Sequence, residues 1–317
     1  MFDKIFASRE LLALSEHKTV PSSYRVGTAL LAIHRSLLTA HYSKLYAHSA
    51  ISYLNTAPLM WDFEHGAATD TFEISYTIPS QCALELQNGK ADIGIIPSAA
   101  YASIPGLSII PGVAIASKQA VRSILLVSKK PMGEIQTVAL DSSSLTSVAL
   151  TKILFEKCWG GARQFRSVAP KLDGMLAQND AALLIGDPAL QIDRSRYYTW
   201  DLAEEWVRLT DKPFVFAFWA VREDAARNTN LELPAIFQNS RDHGLAPDNL
   251  RRITSEWAVK LNLPAEDLYT YLSANIFYYL DEPCLEGLRL FYRYAHECKA
   301  LPPAPNLNFA NTALALI

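Results

Sequence analysis

Small polar side chains recur in this 317-residue chain wherever a short apolar run gives way to an amphipathic stretch. In chain order, these junctions are Asn55-Thr56-Ala57-Pro58, Pro79-Ser80-Gln81-Cys82, Pro97-Ser98-Ala99-Ala100, Asp141-Ser142-Ser143-Ser144-Leu145-Thr146-Ser147 and Gly186-Asp187-Pro188. Ser, Thr, Asn and Asp cap helix N-termini, and proline often occupies the first helical position. N-capping is the simplest explanation of any single junction. Together, the five indicate repeated strand-to-helix transitions.

The chemistry that these junctions favour is the binding of a small anion. None of them contains Lys or Arg, but a helix N-terminus offers free N–H groups and the positive end of the helix dipole. In open α/β sheets the ligand crevice lies outside the carboxyl ends of the strands, where such junctions meet. The sequence therefore predicts a site for a small anion that is held by amides and hydroxyls.

Composition and missing motifs argue against several other classes of protein. The 29 basic and 32 acidic residues leave a formal net charge of -3, whereas nucleic-acid-binding domains normally carry a basic stripe. The chain has no G-x-G-x-x-G loop, P-loop, H-E-x-x-H or G-x-S-x-G motif. We therefore expect no nucleic-acid partner, no cofactor and no metal cage.

Histidines and cysteines do not change this expectation. His34, His41 and His48 recur every seven residues, but seven residues span about 10 Å of helix, too far for ligands of one ion. They are interpreted as a solvated face or part of an arm.

No apolar run approaches a membrane span. The isolated cysteines and the absence of an export signal predict reduced thiols in the cytoplasm; they are Cys82, Cys158, Cys284 and Cys298.

The elements that must position the junctions alternate between apolar runs and amphipathic stretches, which predicts parallel sheets with crossover helices in two α/β lobes. The runs Ser123–Val127 and Phe214–Val221 are interpreted as crossover strands between the lobes. The predicted division is an N-terminal arm or overcalled start at 1–46, lobe I at 47–122 plus 222–317, and lobe II at 123–221. The pattern after residue 233 is helical, and four residues have the spacing of a buried helix face: Leu268, Leu272, Ile276 and Tyr279.

Several long motifs carry a family resemblance: Ser52–Leu59, Pro79–Ala83, Gly89–Ser98, Ser142–Ser147, Gly186–Leu190, Asp201–Trp206, Pro213–Ala217, Asn275–Tyr279 and Gly287–Ala295. In this order they resemble the MqnA family, the chorismate dehydratases of menaquinone biosynthesis. The resemblance covers about 47–297 and leaves the first 46 residues without a counterpart. One departure is Leu145, which stands where the family often has Arg.

The resemblance implies a type II periplasmic-binding-protein-like fold, with two α/β lobes that close on a ligand in the cleft between them. The implied reaction is loss of water from chorismate to give 3-[(1-carboxyvinyl)oxy]benzoate, a hydro-lyase step of the futalosine pathway that needs no cofactor. Chorismate is a small dianion, which agrees with a site built from helix N-termini. Two alternatives stay open: 1,4-dihydroxy-6-naphthoate synthase of the same pathway, and a solute-binding protein for a carboxylate.

Two candidate catalytic residues follow. Asn55 is expected to hold the enolpyruvyl carboxylate or assist the leaving hydroxyl, because its amide both donates and accepts hydrogen bonds. Asp187 is either an N-cap or a group that transfers a proton. Since the motifs offer no His or Lys, we hypothesise that the enolpyruvyl carboxylate of the substrate acts as the base. Substrate binding is assigned to Ser80, Ser98, Ser123, Ser142, Thr146 and Ser147.

Overall fold

The fold is taken from a computed structural model that describes residues 46–310 except 67, 70, 162 and 304. Predictions made for residues 1–45 lie outside the described residues, and Tyr46 begins the first strand. The strands are β1 (Tyr46–Ile51), β2 (Phe72–Thr77), β3 (Ile93–Pro97), β4 (Leu107–Ser117), β5 (Ile124–Ser128), β6 (Thr137–Asp141), β7 (Gln164–Val168), β8 (Ala181–Ile185), β9 (Tyr198–Asp201) and β10 (Phe214–Arg222).

Twelve α-helices are described in the same part of the chain, several of them a single turn. They are α1 (Trp61–His65), α2 (Pro79–Gln87), α3 (Ser98–Tyr101), α4 (Thr146–Lys157), α5 (Leu172–Gln178), α6 (Asp187–Leu190), α7 (Leu202–Thr210), α8 (Glu223–Arg227), α9 (Leu233–Leu245), α10 (Pro247–Leu261), α11 (Ala265–Thr270) and α12 (Glu282–Glu297). The junctions predicted from small polar residues do open helices: α2, α3, α4, α6 and a 3-10 helix at Leu54–Met60.

The strands form two five-stranded mixed sheets with the same topology. The first sheet has the order β2-β1-β3-β10-β4, and the second has the order β7-β6-β8-β5-β9. In each, four strands run in the same direction, and the strand that has just arrived from the other lobe lies antiparallel to both of its neighbours. The expected architecture of two α/β lobes is confirmed. Because strands β3, β5 and β8 are buried along their whole length, they are near-continuous apolar runs in the sequence.

The chain crosses between the sheets at 118–123 and again at 211–213. The sequence boundary at residue 221 is therefore wrong, because Phe214–Arg222 already belongs to the first sheet, between β3 and β4. Sequence could not assign β10 to a sheet, since a strand buried on both faces has the same apolar pattern in either lobe.

The segment after residue 233 is helical as predicted, except near its aromatic stretch. A π-helical turn at Tyr271–Asn275 ends the helix, and Ile276 continues in an extended conformation. The change of period buries Tyr278 and leaves Tyr279 40% exposed, so the prediction of a buried Tyr279 is wrong. Leu268, Leu272 and Ile276 are buried as expected.

His48 is a core residue of β1 and does not lie on a solvated face. Its ring contacts Phe63, Phe72, Trp219 and Phe237, at centroid distances of 4.5 to 5.9 Å. Neither ring nitrogen has a hydrogen-bond partner among the described residues. Burial lowers the pKa of His48 to about 3, so the imidazole is neutral at physiological pH.

The four cysteines are free thiols, and Cys82 and Cys284 are buried. Within the described residues, no helix combines the length and the apolar character that crossing a membrane requires.

Candidate active site

A cleft that is partly open to solvent lies where the carboxyl ends of the two sheets face each other. Residues of both lobes line it: Ile51, Tyr53, Asn55, Pro79, Pro97, Ile115, Phe216 and Ala217 from the first, and Ile124, Ser144, Thr146, Ser147, Ile185 and Gly186 from the second. The lining is mainly apolar, with a few hydroxyls, one amide and one phenol. Such a composition is typical of a small-molecule site.

Asn55 reaches the cleft from the 3-10 helix that follows β1. Its side chain lies near the hydroxyl of Tyr271, a buried residue of the π-helical turn. That hydroxyl donates to Ser123 Oγ over 2.8 Å. Asn55 therefore has a neighbour more than 200 positions later in the chain.

Asp187 joins the two lobes at the edge of the cleft. It begins α6, and its Oδ1 accepts a hydrogen bond of 3.0 Å from the Leu54 N–H in the first lobe. Burial raises the pKa of Asp187 to about 6, although the Leu54 N–H and the Lys260 ammonium oppose the shift. The carboxyl group therefore changes charge close to neutral pH, which is a property of many acid–base groups in active sites.

Three helix-start amides of the first lobe are already paired across the cleft. Besides Leu54, the Ser80 N–H donates to the Ser143 carbonyl over 3.2 Å, and the Ala99 N–H donates to Thr146 Oγ1 over 3.1 Å. In this arrangement the second lobe occupies the donors that sequence assigned to an anion.

The N-terminus of α4 is different, because no hydrogen bond to the first lobe is described for its first N–H groups. Like the other junction helices, it has no side-chain cap among the described residues, and its first turn brings Thr146 and Ser147 to the cleft beside Ser144. A twelve-residue helix that opens into a cleft without a capping side chain is well suited to an anionic group.

The eight sequence-predicted site residues occupy several environments. Asn55, Thr146 and Ser147 line the cleft together, and Asp187 follows the lining residue Gly186. Thr146 Oγ1 also donates to the Phe216 carbonyl over 3.0 Å, so its hydroxyl is a bridge between the lobes. The Ser98 hydroxyl donates to the Val215 carbonyl and is fully buried, and Ser123 is fully buried beneath Tyr271.

Like Ser98 and Ser123, the two remaining predicted serines lie outside the cleft lining. Ser142 is exposed, and its N–H bonds the Val168 carbonyl. Ser80 lines a separate groove together with Leu145, whose side chain is 39% exposed. Leu145, the position at which this chain departs from the family pattern, therefore lies outside the described cleft.

Sequence reasoning missed three residues at or near the site: Tyr53, Asp141 and Tyr271. Tyr53 lines the cleft, while Asp141 is a buried carboxylate at the end of β6. Tyr53 and Asp141 stand within or beside the quoted junctions, so their position at strand ends was the available signal. Tyr271 had no such signal, because its apolar neighbours gave it the pattern of a core helix.

No group of three His, Cys, Asp or Glu side chains that could hold a metal ion occurs in the described part of the chain. The polar groups in and beside the cleft are amides, hydroxyls, a phenol and carboxyls.

The sequence matches a protein-family model described as menaquinone biosynthesis over residues 47–297. The chain belongs to this menaquinone-biosynthesis family. A relative of known name is the chorismate dehydratase of Thermus thermophilus, which is 28% identical over 271 residues that make up 80% of this chain and 94% of the relative.

Solved structures confirm the fold of this family member. Protein AF1704 from Archaeoglobus fulgidus superposes with a TM-score of 0.66 at 17% identity, covering 82% of this chain and 100% of the other. The alkanesulfonate-binding protein SsuA from Xanthomonas axonopodis, solved with bound MOPS, gives 0.61 at 15% identity, covering 81% and 94%. The chain therefore has a periplasmic-binding-protein-like fold.

Proposed function

We propose that this protein is a chorismate dehydratase that removes water from chorismate to give 3-[(1-carboxyvinyl)oxy]benzoate in the futalosine route to menaquinone. The observation that carries the proposal is the family match over 47–297, together with a chorismate dehydratase that aligns over 94% of its length. The two-lobed fold and its apolar cleft support it, because chorismate is a small ring compound with two carboxylates.

In the proposed complex, one carboxylate of chorismate lies at the uncapped N-terminus of α4. There the Ser147 hydroxyl and the first N–H groups of the helix favour negative charge. Asn55 faces this helix end from the other lobe and hydrogen-bonds the enolpyruvyl carboxylate or the leaving hydroxyl. The apolar lining from Ile51, Ile115 and Phe216 surrounds the ring.

The reaction needs one proton removed from ring carbon 3 and one delivered to the departing hydroxyl on carbon 4. Because the product ring is aromatic, the step is downhill, and the work of the protein is to orient the substrate and guide the two protons. We propose the enolpyruvyl carboxylate of the substrate as the base. Asp187 is the competing protein base, since burial raises its pKa into a useful range.

The first experiment incubates the purified full-length chain with chorismate without added metal and follows the aromatic product by liquid chromatography. Turnover supports the proposal. Binding of chorismate that returns it unchanged at high protein concentration contradicts it and favours a solute-binding role, which the fold relatives perform.

The second experiment separates the two candidate bases. Asn55→Ala is expected to lower kcat by about 100-fold with little change in KM, because an interaction formed mainly in the transition state is removed. Asp187→Asn retains the oxygen that accepts from Leu54 and is expected to keep most of kcat. Abolished turnover with intact binding in Asp187→Asn would instead identify Asp187 as the base. Ser255→Ala, on the exposed surface of α10, is the matched control.

A further inference from the structure

A second cavity lies in the first lobe, apart from the cleft between the lobes. It is framed by the 3-10 helix at Leu54–Met60, by α1 and α10, and by the exposed Tyr76 of β2. Among the described residues, no member of the second lobe lines it, and it is more enclosed than the cleft. The proposed mechanism leaves this cavity unused.

Aromatic side chains distinguish the lining of this cavity, which we call the aromatic cavity. Five of them line it: Tyr53, Trp61, His65, Tyr76 and Trp257. The described lining of the cleft has two, Tyr53 and Phe216. Trp61 and Trp257 are half-buried, and Trp61 stacks on His65 with the ring centroids 4.5 Å apart. Because indole and phenol rings offer flat apolar surfaces, the lining favours a ligand with a planar ring.

Both acidic residues of the lining already have partners. Glu64 Oε1 accepts a hydrogen bond from the Tyr76 hydroxyl, and Glu64 Oε2 lies 4.0 Å from His65 Nδ1. Glu256 Oε1 accepts a hydrogen bond of 3.0 Å from Arg252 Nε. Since neighbouring donors of the protein engage both carboxylates, neither of them marks the cavity as a site for a cation.

Lys260, in the last turn of α10, is the charged residue of the lining that lacks such a partner. Among the described residues its ammonium forms no ion pair and no hydrogen bond. It lies 4.5 Å from the centroid of the Trp257 ring, a distance at which a cation and the face of an indole attract each other. A ring ligand that packs against Trp257 therefore brings an anionic substituent close to an unpaired positive charge.

The aromatic cavity and the cleft have a common wall. Ile51 and Tyr53 line both of them. From the 3-10 helix, Asn55 lines the cleft, whereas Thr56 and Ala57 line the aromatic cavity. The remaining residues of each lining are different, so binding at each place can be weakened by its own variants.

We propose that the aromatic cavity is a second ligand site, which takes a planar aromatic carboxylate whose ring packs against Trp257 and whose carboxylate pairs with Lys260. The site lies within one lobe, so binding there does not require the lobes to close. The product of the proposed dehydration is itself an aromatic carboxylate. For that ligand the inference rests on the proposed function, whereas the site as such does not.

Calorimetry of the full-length protein at low ionic strength tests the site with three probes. They are 2-naphthoate, its neutral analogue 2-naphthalenemethanol, and the non-aromatic cyclohexanecarboxylate. 2-Naphthoate is expected to bind several-fold more tightly than either of the others, because only it has both the planar ring and the charge. Added salt is expected to remove its advantage over 2-naphthalenemethanol, because Lys260 is exposed.

Two variants separate the contributions of the ring and the charge. Lys260→Gln is expected to weaken 2-naphthoate about fivefold and to leave 2-naphthalenemethanol unchanged. Trp257→Leu is expected to weaken both naphthalene probes about tenfold. Lys129→Gln and Trp159→Leu are the matched controls, at an exposed lysine and a half-buried tryptophan of the second lobe. Lys260→Gln changes an exposed side chain and tests the site even if Trp257→Leu fails to fold.

Three results would overturn the inference. The first is no saturable binding of 2-naphthoate at millimolar concentrations, and the second is wild-type affinity in both Lys260→Gln and Trp257→Leu. The third is loss of binding in Ser147→Ala, a cleft variant, with binding retained in Lys260→Gln and Trp257→Leu, because the probe then lies in the cleft.

The outcome for the aromatic cavity is independent of the outcome for the proposed function. The expected binding pattern in a protein that does not turn over chorismate supports the aromatic cavity and rejects the dehydratase. Chorismate turnover in a protein that does not bind 2-naphthoate supports the dehydratase and rejects the aromatic cavity as a ligand site.

Discussion

One buried aspartate, Asp201, accepts hydrogen bonds from the first chain crossing, and another, Asp141, lies near the cleft. Their hydrogen bonding differs sharply. At the crossing, Asp201 accepts hydrogen bonds from four backbone N–H groups, those of Val121, Arg122, Ala203 and Glu204, over 2.6 to 3.2 Å. Near the cleft, the Asp141 carboxylate accepts hydrogen bonds only from Ser143 among the described residues, and its Oδ2 has no partner there. The two residues are 5% and 1% exposed, so burial does not distinguish them.

The difference shows which of the two buried carboxylates stabilises the fold. Asp201 fastens the segment that leaves the first sheet to the helix that precedes the return, and it does so at Arg122, whose φ of 67° is unfavourable for a residue with a side chain. A fully satisfied carboxylate holds the crossing in one conformation. The partly satisfied Asp141 carboxylate holds only the turn that follows β6, through its two hydrogen bonds from Ser143.

The largest expected effect is at the crossing. Asp201→Ala should lower the free energy of unfolding by about 4 kcal/mol, because four buried or half-buried donors lose a charged acceptor. Urea denaturation measures this directly. A loss below about 1 kcal/mol would show that the crossing does not depend on Asp201, and the comparison with Asp141 would fail.

Gly186→Ala tests the contact between the cleft wall and Tyr53. Its φ of 65° disfavours any side chain, and the new Cβ would overlap the Tyr53 ring. We expect a loss of about 3 kcal/mol, in roughly equal parts from backbone strain and overlap. Gly106→Ala is the matched control, since φ is 72° and no atom lies within 4 Å of the added Cβ. Equal losses in thermal unfolding for both variants would remove the contribution of Tyr53.

His48→Leu tests how His48, a buried side chain away from the cleft with no hydrogen-bond partner among the described residues, affects stability. The folded pKa of about 3 lies below the ordinary value of 6.5. The stability from neutral His48 is therefore present above pH 6.5 and lost as the pH falls towards 3. We expect His48→Leu to stabilise by about 1 kcal/mol at pH 8 and about 3 kcal/mol at pH 5, because protonation of His48 in the unfolded state costs the wild type about 2 kcal/mol over that range.

Chemical denaturation at the two pH values checks the His48 prediction, with His296→Gln on the exposed end of α12 as the control. If His48→Leu is instead destabilising at pH 8 by more than about 2 kcal/mol, the imidazole has a packing role that its unpaired nitrogens conceal.

The smallest expected effect is a change of slope at Asp187. Its folded pKa of about 6 lies above the ordinary value of 3.8. Its contribution is therefore complete below pH 3.8 and lost as the pH rises through 6. Relative to pH 4, Asp187→Asn should gain about 1 kcal/mol on the wild type at pH 7.5, after allowance for partial solvent exposure. Parallel Tm profiles of the two proteins across pH 4 to 7.5 would contradict this.

Sequence predicted the parts of the molecule that local chemistry determines. Small polar residues and prolines gave the helix starts, and apolar runs gave β3, β5 and β8, because both signals act within a few residues. The expected N-capping is wrong, since no described side chain caps any of the five junction helices. The sheet that receives β10 was not predictable in this way, since it depends on pairing with β3 and β4.

The candidate site was predictable to the same extent. Asn55, Thr146 and Ser147 were found because they stand at strand ends. Tyr271 was not found, because its role comes from its position near Asn55 and its hydrogen bond with Ser123, which only the folded chain creates. The unpaired oxygen of Asp141 was also not predictable, since the sequence does not show which hydrogen-bond partners a side chain lacks.

The cross-cleft pairing of the Leu54, Ser80 and Ala99 amides has a consequence for turnover. A ligand that takes one of these donors does not bind a vacant group but exchanges one partner for another, so the net gain per contact is small. Departure of the ligand is compensated in the same way, because the internal acceptor returns to its donor. The internal acceptors of these three amides therefore compete with any ligand for the same donors, which favours release of the ligand over tight retention.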